Sequence, residues 1–314
     1  MKKIIIPVGI LFATGSLYGQ TNTENYLQTK TYLEPVTATS STAKQIQTVE
    51  YYDGLGRVKQ SVNVKASPLG NDIVNHAVFD DFGRQTINYL PIPQNTTQNG
   101  EFFTDPLMNG ANPNIYGSEK FYSEKILENS PLDRIKEKIN VGNDWTAKPI
   151  KYEYRTNING EVKRYKATFN YSTFQSDITL TGTYAENLLH KNTITDEDGN
   201  KIIEFTNSQG KTLLVRKMLS DSAYADTYYV YNNYDQLAFI IPPLAENSVL
   251  NEQTVNDLCY QYKFDERSRL VEKKLPGKGW EQMVYNKSGK IVLYRDANLK
   301  SGIPGFIENE AWVF

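Results

Sequence analysis

Between residues 58 and 65 the apolar positions Val58, Val62 and Val64 fall on one face, while Lys59, Ser61, Asn63 and Lys65 fall on the other. This period of two predicts a strand with one face on a core and one in water. Strands begin near Gln45, and L-C-Y-Q-Y-K-F (258–264) reads as another. Residues 20–45 are rich in Thr, Ser, Asn and Gln with little periodicity, which predicts a polar linker or loosely held lead-in. Residues 91–118, opening P-I-P-Q-N-T-T-Q-N-G, form a loop long enough to be a feature in itself. Helix signals are few. In S-P-L-D-R-I-K-E-K-I, from Ser130, a Ser cap, a Pro at the first position and a short apolar spacing predict one brief helical turn.

Between the strands a turn is written repeatedly. Residues 51–57 read Y-Y-D-G-L-G-R and residues 78–84 read V-F-D-D-F-G-R. In D-x-x-G the Asp opens a type I turn, its carboxylate accepting a backbone N–H two residues on. The Gly then sits where the chain needs positive φ to close a bulged hairpin. The flanking side chains, Tyr52 with Arg57 and Phe79 with Arg84, are expected to face each other across the hairpin. Tyr52, Asp53, Gly56, Arg57, Phe79, Asp80, Gly83 and Arg84 thus form a structural motif that needs no chemistry to explain it.

Looser copies follow. Turn starts fall at residues 53, 80, 157, 196, 207, 232, 265 and 286, spaced 11 to 77 residues apart, so the array is degenerate and carries insertions. Asp265 and Arg269 keep the acid and the terminal Arg, whereas Asp235 and Ser268 stand where Gly is expected. Asp tolerates the left-handed conformation; Ser268 predicts strain or a different turn.

Composition narrows the class. The 314 residues, 39% hydrophobic and 22% charged, are enough for a large core and two domains. Tyr is abundant, at 22 copies against 13 Phe and 3 Trp, which suits sheets with a solvated face. A net charge of −2, a pI of 5.9 and the lack of a basic run argue against nucleic acid as partner.

At the N-terminus Lys2 and Lys3, the apolar run Ile4 to Ala13 and the small residues from Ser16 to Gly19 have the build of a secretory signal, cut after Gly19. That run is too short to span a bilayer comfortably, so no membrane span is expected in the mature chain. Export permits disulfides, yet Cys259 is the sole cysteine and is expected to be a buried, unreactive thiol.

The turn units resemble the YD repeats of the RHS family, whose consensus is close to Y-D-x-x-G-R-L. The resemblance extends to Y-S-E-K-I-L-E-N-S-P-L-D-R-I (122–135), G-N-D-W (142–145), I-T-D-E-D-G-N-K (194–201), D-T-Y-Y-V-Y (226–231) and K-K-L-P-G-K-G-W (273–280). These look like the N-terminal domain of unknown function that heads many secreted RHS-repeat proteins of Gram-negative bacteria. The resemblance implies a mostly β fold with a little helix, antiparallel hairpin repeats forming part of a wrapped β-sheet shell. It divides the chain into a signal peptide (1–19), a polar linker (20–45), an RHS-associated domain (46–145) and a degenerate repeat region (146–314). Because A-W-V-F ends the chain where another unit is expected to begin, the region reads as truncated. The terminal Arg survives at Arg57, Arg84 and Arg269 and is replaced by Asn200, Lys211, Gln236 and Lys290 elsewhere.

Candidate chemistry is sparse. G-K-T at Gly210 lacks the Gly five places earlier that a phosphate loop needs, and Phe205 stands there. D-E-D-G-N at Asp196 alternates oxygens like a calcium loop, but Gly199 is misplaced and a solvated turn is the simpler reading. His76, His190 and Cys259 form no close ligand pair, and no G-x-S-x-G elbow occurs. The expectation is a protein without catalysis, cofactor or metal. Its leading function is a secreted or surface-located scaffold, partnered by the remainder of an RHS shell or its C-terminal module. The alternative is an adhesin-like surface that holds glycans through Tyr228, Tyr229, Tyr231, Tyr234, Trp280 and Tyr285.

Overall fold

The structure, a computed structural model, describes residues 23–39, 42–95, 98–170, 175–246 and 250–300. The signal-like segment and the terminal A-W-V-F lie outside these. The chain divides into two compact units between Ile150 and Lys151.

In the first unit an antiparallel meander runs through β1 (Asn25–Tyr32), β2 (Gln45–Tyr52), β3 (Val58–Asn63) and β4 (Ile73–Val78). One end of β4 pairs with β5 (Ile87–Tyr89) and the other with the short β6 (Ile92–Pro93). β5 pairs in turn with β7 (Tyr122–Leu127), and β7 with β8 (Ile135–Ile139).

Two expectations fall here. The polar lead-in contains a full strand, since β1 runs in unbroken register from Asn25 opposite Tyr52 to Tyr32 opposite Gln45. Its pairing comes from backbone groups of β2, so side-chain patterning carries little trace of it. The helical turn at Ser130 is instead the β7–β8 hairpin. The Ser130 hydroxyl accepts from Leu132 N, Asp133 takes φ 49°, and the Arg134 guanidinium grips the Glu128 carboxylate at 2.7 and 2.8 Å.

The long loop after β6, which contains α1 (Pro106–Gly110), covers one face of this sheet. Val49, Tyr51, Val62 and Val74 are fully buried and pack with Phe102 and Phe103 of the loop. Polar side chains on the same face fasten it. Gln60 exchanges two hydrogen bonds with the Phe103 backbone, both 2.9 Å, as a strand neighbour would. The Tyr51 hydroxyl donates to Gly100 O (2.7 Å), and the buried Asp72 carboxylate accepts from Gly100 N and Lys65 N. Gly100 takes φ 78°, and a Cβ there would lie 2.7 Å from a Val64 methyl.

In the second unit β9 (Ile150–Thr156) leads into a separate hairpin, β10 (Lys163–Asn170) with β11 (Gln175–Thr183), before β12 (His190–Thr195) returns to pair with β9. A meander follows through β13 (Lys201–Thr206), β14 (Thr212–Met218), β15 (Tyr224–Tyr231), β16 (Leu237–Ile241), β17 (Tyr260–Phe264), β18 (Leu270–Lys274), β19 (Trp280–Tyr285) and β20 (Ile291–Arg295). Two short helices, α2 (Pro243–Glu246) and α3 (Glu252–Leu258), join β16 to β17.

In β15 residues 226, 228 and 230 are buried and their neighbours half-buried, the period of two made visible. The buried face of β13 to β16 offers Phe205, Leu214, Tyr228, Val230, Phe239 and Ile241. The β10–β11 hairpin packs on it with Ala167, Tyr165 and Ile178, beside Val162 from the segment before β10. Burying each large side chain contributes about 1.5–3 kcal/mol.

Candidate functional site

The turns are built alike. Asp53 Oδ1 accepts from Leu55 N and Arg57 N, both at 2.9 Å, and the pattern repeats at Asp80, Asp196, Asn207, Asn232, Asp265 and Asn286. Gly56 and Gly83 take φ 77° and 79°. Asp235 (φ 64°) and Ser268 (φ 58°) adopt the same left-handed conformation at the same place in their turns, so Ser268 does carry the strain and the turn type is unchanged. At Asp196 the carboxylate is engaged with Asp198 N and the Asn200 backbone and amide. The copy at Asn157 is the exception. Its side chain is buried and brackets the chain at Ala185, Leu188 and Leu189, so it clamps the base of the β10–β11 insertion.

In five of these turns the closing residue, Arg57, Arg84, Lys211, Gln236 or Arg269, does a second task. Arg57 holds Asp53 at 2.7 Å, and its guanidinium stacks 4.1 Å from the ring of Phe79 in the next turn, not on Tyr52. Tyr52 donates instead to Glu50, and Arg84 lies over Phe82 rather than Phe79 while it grips Asp80 and Asp133. The same reach recurs in the second unit. Lys211 pairs with Asp235 at 2.7 Å and lies over Tyr231; Gln236 donates to Ser268 Oγ; Arg269 donates to Asn286 O and lies 4.9 Å over Tyr285. Successive hairpins are therefore tied turn to turn along one edge of each meander. Each exposed link is weak, ~0.2–1 kcal/mol, but the series fixes spacing.

Ala at Gly56 or Gly83 is expected to destabilise the fold by roughly 1 kcal/mol or more, because a side chain resists positive φ. At Gly83 the Cβ would also meet an Arg57 nitrogen at 2.7 Å, the tip of a side chain that can shift, so the two variants should cost alike. Unchanged melting midpoints in both variants would contradict this turn assignment.

The turn acids also set a pH dependence. The Arg57 backbone N–H, followed by its side chain, holds the Asp53 carboxyl below its usual range; the Arg84 N–H does the same for Asp80. The Asn200 amide depresses Asp196 and the Arg269 guanidinium depresses Asp265, while Arg134 and then Ser130 bring Glu128 to about 2. Carboxyls lowered on folding contribute stability that is complete above their unfolded pKa, about 4, and is lost as pH falls through the folded value. Melting midpoints should therefore hold above about pH 5 and decline toward pH 2. The combined variant Asp53→Asn, Asp80→Asn, Asp265→Asn should flatten that decline, because Asn keeps the acceptor, as it does at positions 207, 232 and 286. An equally steep decline in the variant would refute the assignment.

The six aromatic candidates do not converge. Tyr228 is buried, with its hydroxyl accepting from Lys163 N (3.3 Å) and its ring edge-on to Tyr165 at 5.0 Å. Tyr234 is exposed at a turn tip. Trp280 lies under Lys263, 4.4 Å away, and the Tyr285 hydroxyl donates to Leu270 O. Three of them, Tyr228, Tyr229 and Tyr231, do border one cleft of about 190 Å³ in the second unit. Lys163 and Tyr165 of the inserted hairpin and Tyr184 just beyond it form one side. Asn207 and Lys211 of one turn and Asn232 and Asp235 of the next complete the rim. Lys163, Tyr165 and Tyr184 carry no sequence signal that would have singled them out.

Elsewhere burial pushes the Cys259 thiol up to about 11 at a fully enclosed position. Among the described residues no group of three or more His, Cys, Asp or Glu could hold a metal ion, and no helix is long and apolar enough to cross a membrane.

Residues 23–158 match a domain of unknown function, DUF6443. No curated protein matches the sequence. Among solved structures, the TcdB2-TccC3-TEV crystal structure aligns with 91% of the chain at 13% identity and a TM-score of 0.52. TcdB2-TccC3 aligns with 86% at 11% identity, also at 0.52. A Tc holotoxin pore of Photorhabdus luminescens aligns with 86% at 13% identity and 0.52. In each case this chain spans only about an eighth of the solved chain, 12 or 13% of its length. Mostly antiparallel and written in YD-type turns, the fold is RHS-like, and residues 23–158 are similar to the DUF6443 domain.

Proposed function

We propose that this chain is a non-catalytic structural wall, the leading part of an exported RHS-type shell that encloses or presents a C-terminal module. In this reading residues 46–145 form the leading domain and residues 146–314 the degenerate repeat region. The observation that carries it is the turn-to-turn tie. Hairpins that dock on the next one along an edge, through Arg57 in the first unit and through Lys211, Gln236 and Arg269 in the second, extend a sheet without needing a site of their own. The likeness to chains of toxin assemblies supports protein partners of the same kind, and residues 1–19 supply the export signal.

Purification of the intact protein from its native host tests this. The mature chain should begin near Gln20, come from the secreted or surface fraction, and bring with it a polypeptide that resists protease until the shell is unfolded. Recovery from the cytoplasm with Met1 in place and nothing bound would overturn the proposal. So would enzymatic turnover that a single carboxylate substitution abolishes.

A further inference from the structure

We propose that the turn edge of the first unit is a homodimer contact, seated on the same edge of a second copy of this chain. Nothing in it depends on the shell reading, since it involves the first unit alone.

Three hairpins of that unit, β2–β3, β4–β5 and β7–β8, turn along one edge. Arg57 stacks on Phe79 between the first two, and Arg84 pairs with Asp133 between the last two, so the tips are held in a row. Each tip raises one large apolar side chain at the same place in its turn. Leu55 is 80% exposed, Phe82 82% and Leu132 68%. Single exposed apolar residues are ordinary on a surface, but an aligned set is the kind that marks an interaction site. The second unit gives the contrast, since its matching positions hold Asp198, Gln209, Tyr234, Arg267 and Ser288.

Successive tips lie two strands apart, ~10 Å. The row reads Leu, Phe, Leu from either end, so a two-fold axis at Phe82 maps it onto itself, as a self-complementary contact requires. Laid side by side and turned end for end, two rows place Phe82 against Phe82 and each Leu55 against a Leu132 of the other copy. Charge favours this direction. Glu128 and Asp133 outnumber Arg134 at the Leu132 end, whereas Asp53 and Arg57 balance at the Leu55 end, and turning the rows keeps the acidic ends apart. Asp81, exposed beside the axis and without an ion pair among the described residues, works against the contact. Three tips a side bury well under the ~800 Å² per partner of a standard complex, so the dimer is transient, with a Kd on the order of 100 μM.

Sedimentation velocity on the purified protein should show a dimer that grows with concentration. Phe82→Asp, which sets a carboxylate against itself at the axis, should weaken it about tenfold or more, and Tyr234→Asp should leave it unchanged. Asp81→Asn should tighten it. All three variants should keep the wild-type melting midpoint, because these side chains stand in solvent. Cys259 is fully buried, so introduced cysteines report the geometry cleanly. On mild oxidation Phe82→Cys should form a linked dimer, as should Leu55→Cys combined with Leu132→Cys, whereas Leu55→Cys alone should not. The proposal fails if the protein stays monomeric at millimolar concentration, if the dimer survives Phe82→Asp, if Leu55→Cys links by itself, or if the tips instead carry a monomer onto phosphatidylcholine vesicles.

Discussion

Asp226→Ala is expected to destabilise the second unit by about 3–5 kcal/mol. Asp226 and Arg216 face each other across β14 and β15, both buried, and share two hydrogen bonds of 2.8 Å. Arg216 also donates to Glu161 O and lies 4.0 Å over the ring of Tyr224. Removing the carboxylate leaves a guanidinium on the core face whose remaining countercharge is the Glu161 carboxylate, 4.0 Å away and shared with Lys191. The cost is that of the orphaned charge, not the net worth of the pair, so Arg216→Met combined with Asp226→Leu should recover most of it. Denaturant midpoints on the three proteins decide the matter. A single variant within about 0.5 kcal/mol of wild type, the range of ordinary surface substitutions, would show that the pair is solvated and dispensable.

The first unit has its counterpart in Tyr51→Ala, expected to cost about 3–5 kcal/mol. Tyr51 is fully buried, its ring 5.3 Å from Phe102 and 5.9 Å from Tyr26, and its hydroxyl holds Gly100 O. The substitution removes both the ring and the latch of the covering loop. Tyr51→Phe separates the two and should cost about 1–3 kcal/mol, since the buried Gly100 carbonyl is left unpaired. Hydrogen exchange should report the loop directly, with Gly100 and Phe103 amides losing protection in Tyr51→Ala. Retained protection there would mean that Gln60 and Asp72 hold the loop unaided.

The turns were legible in the sequence because their chemistry is local. An Asp or Asn whose Oδ1 takes the N–H groups two and four residues on, with Gly, Asp or Ser in the left-handed position, is a five-residue event. What each turn does to its neighbour was not legible. Arg57 and Phe79 are 22 positions apart in the sequence, and only the pairing of β2, β3 and β4 brings them together. β1 escaped notice because most of its side chains stay exposed or half-exposed, which erases the alternation that marks a strand. Gln60 and Asp72 escaped notice because polar residues on a core face look like surface residues until the loop they hold is seen. At Ser130 the helix-start signals were present, but Glu128, Arg134 and a left-handed Asp133 close a hairpin across the same residues. The tyrosine cleft needs Tyr165 and Tyr228, 63 positions apart, to meet across an inserted hairpin, and no periodicity encodes that contact.

Electron cryomicroscopy of the protein isolated from its native host tests the central claim most directly. The account predicts that the β9–β20 meander appears as one stretch of a larger curved wall, its turn-to-turn ties continuing into neighbouring strands, with separate polypeptide density on the concave side. A particle in which the same meander stands as a self-contained domain, bordered by solvent on both faces and enclosing nothing, would contradict it.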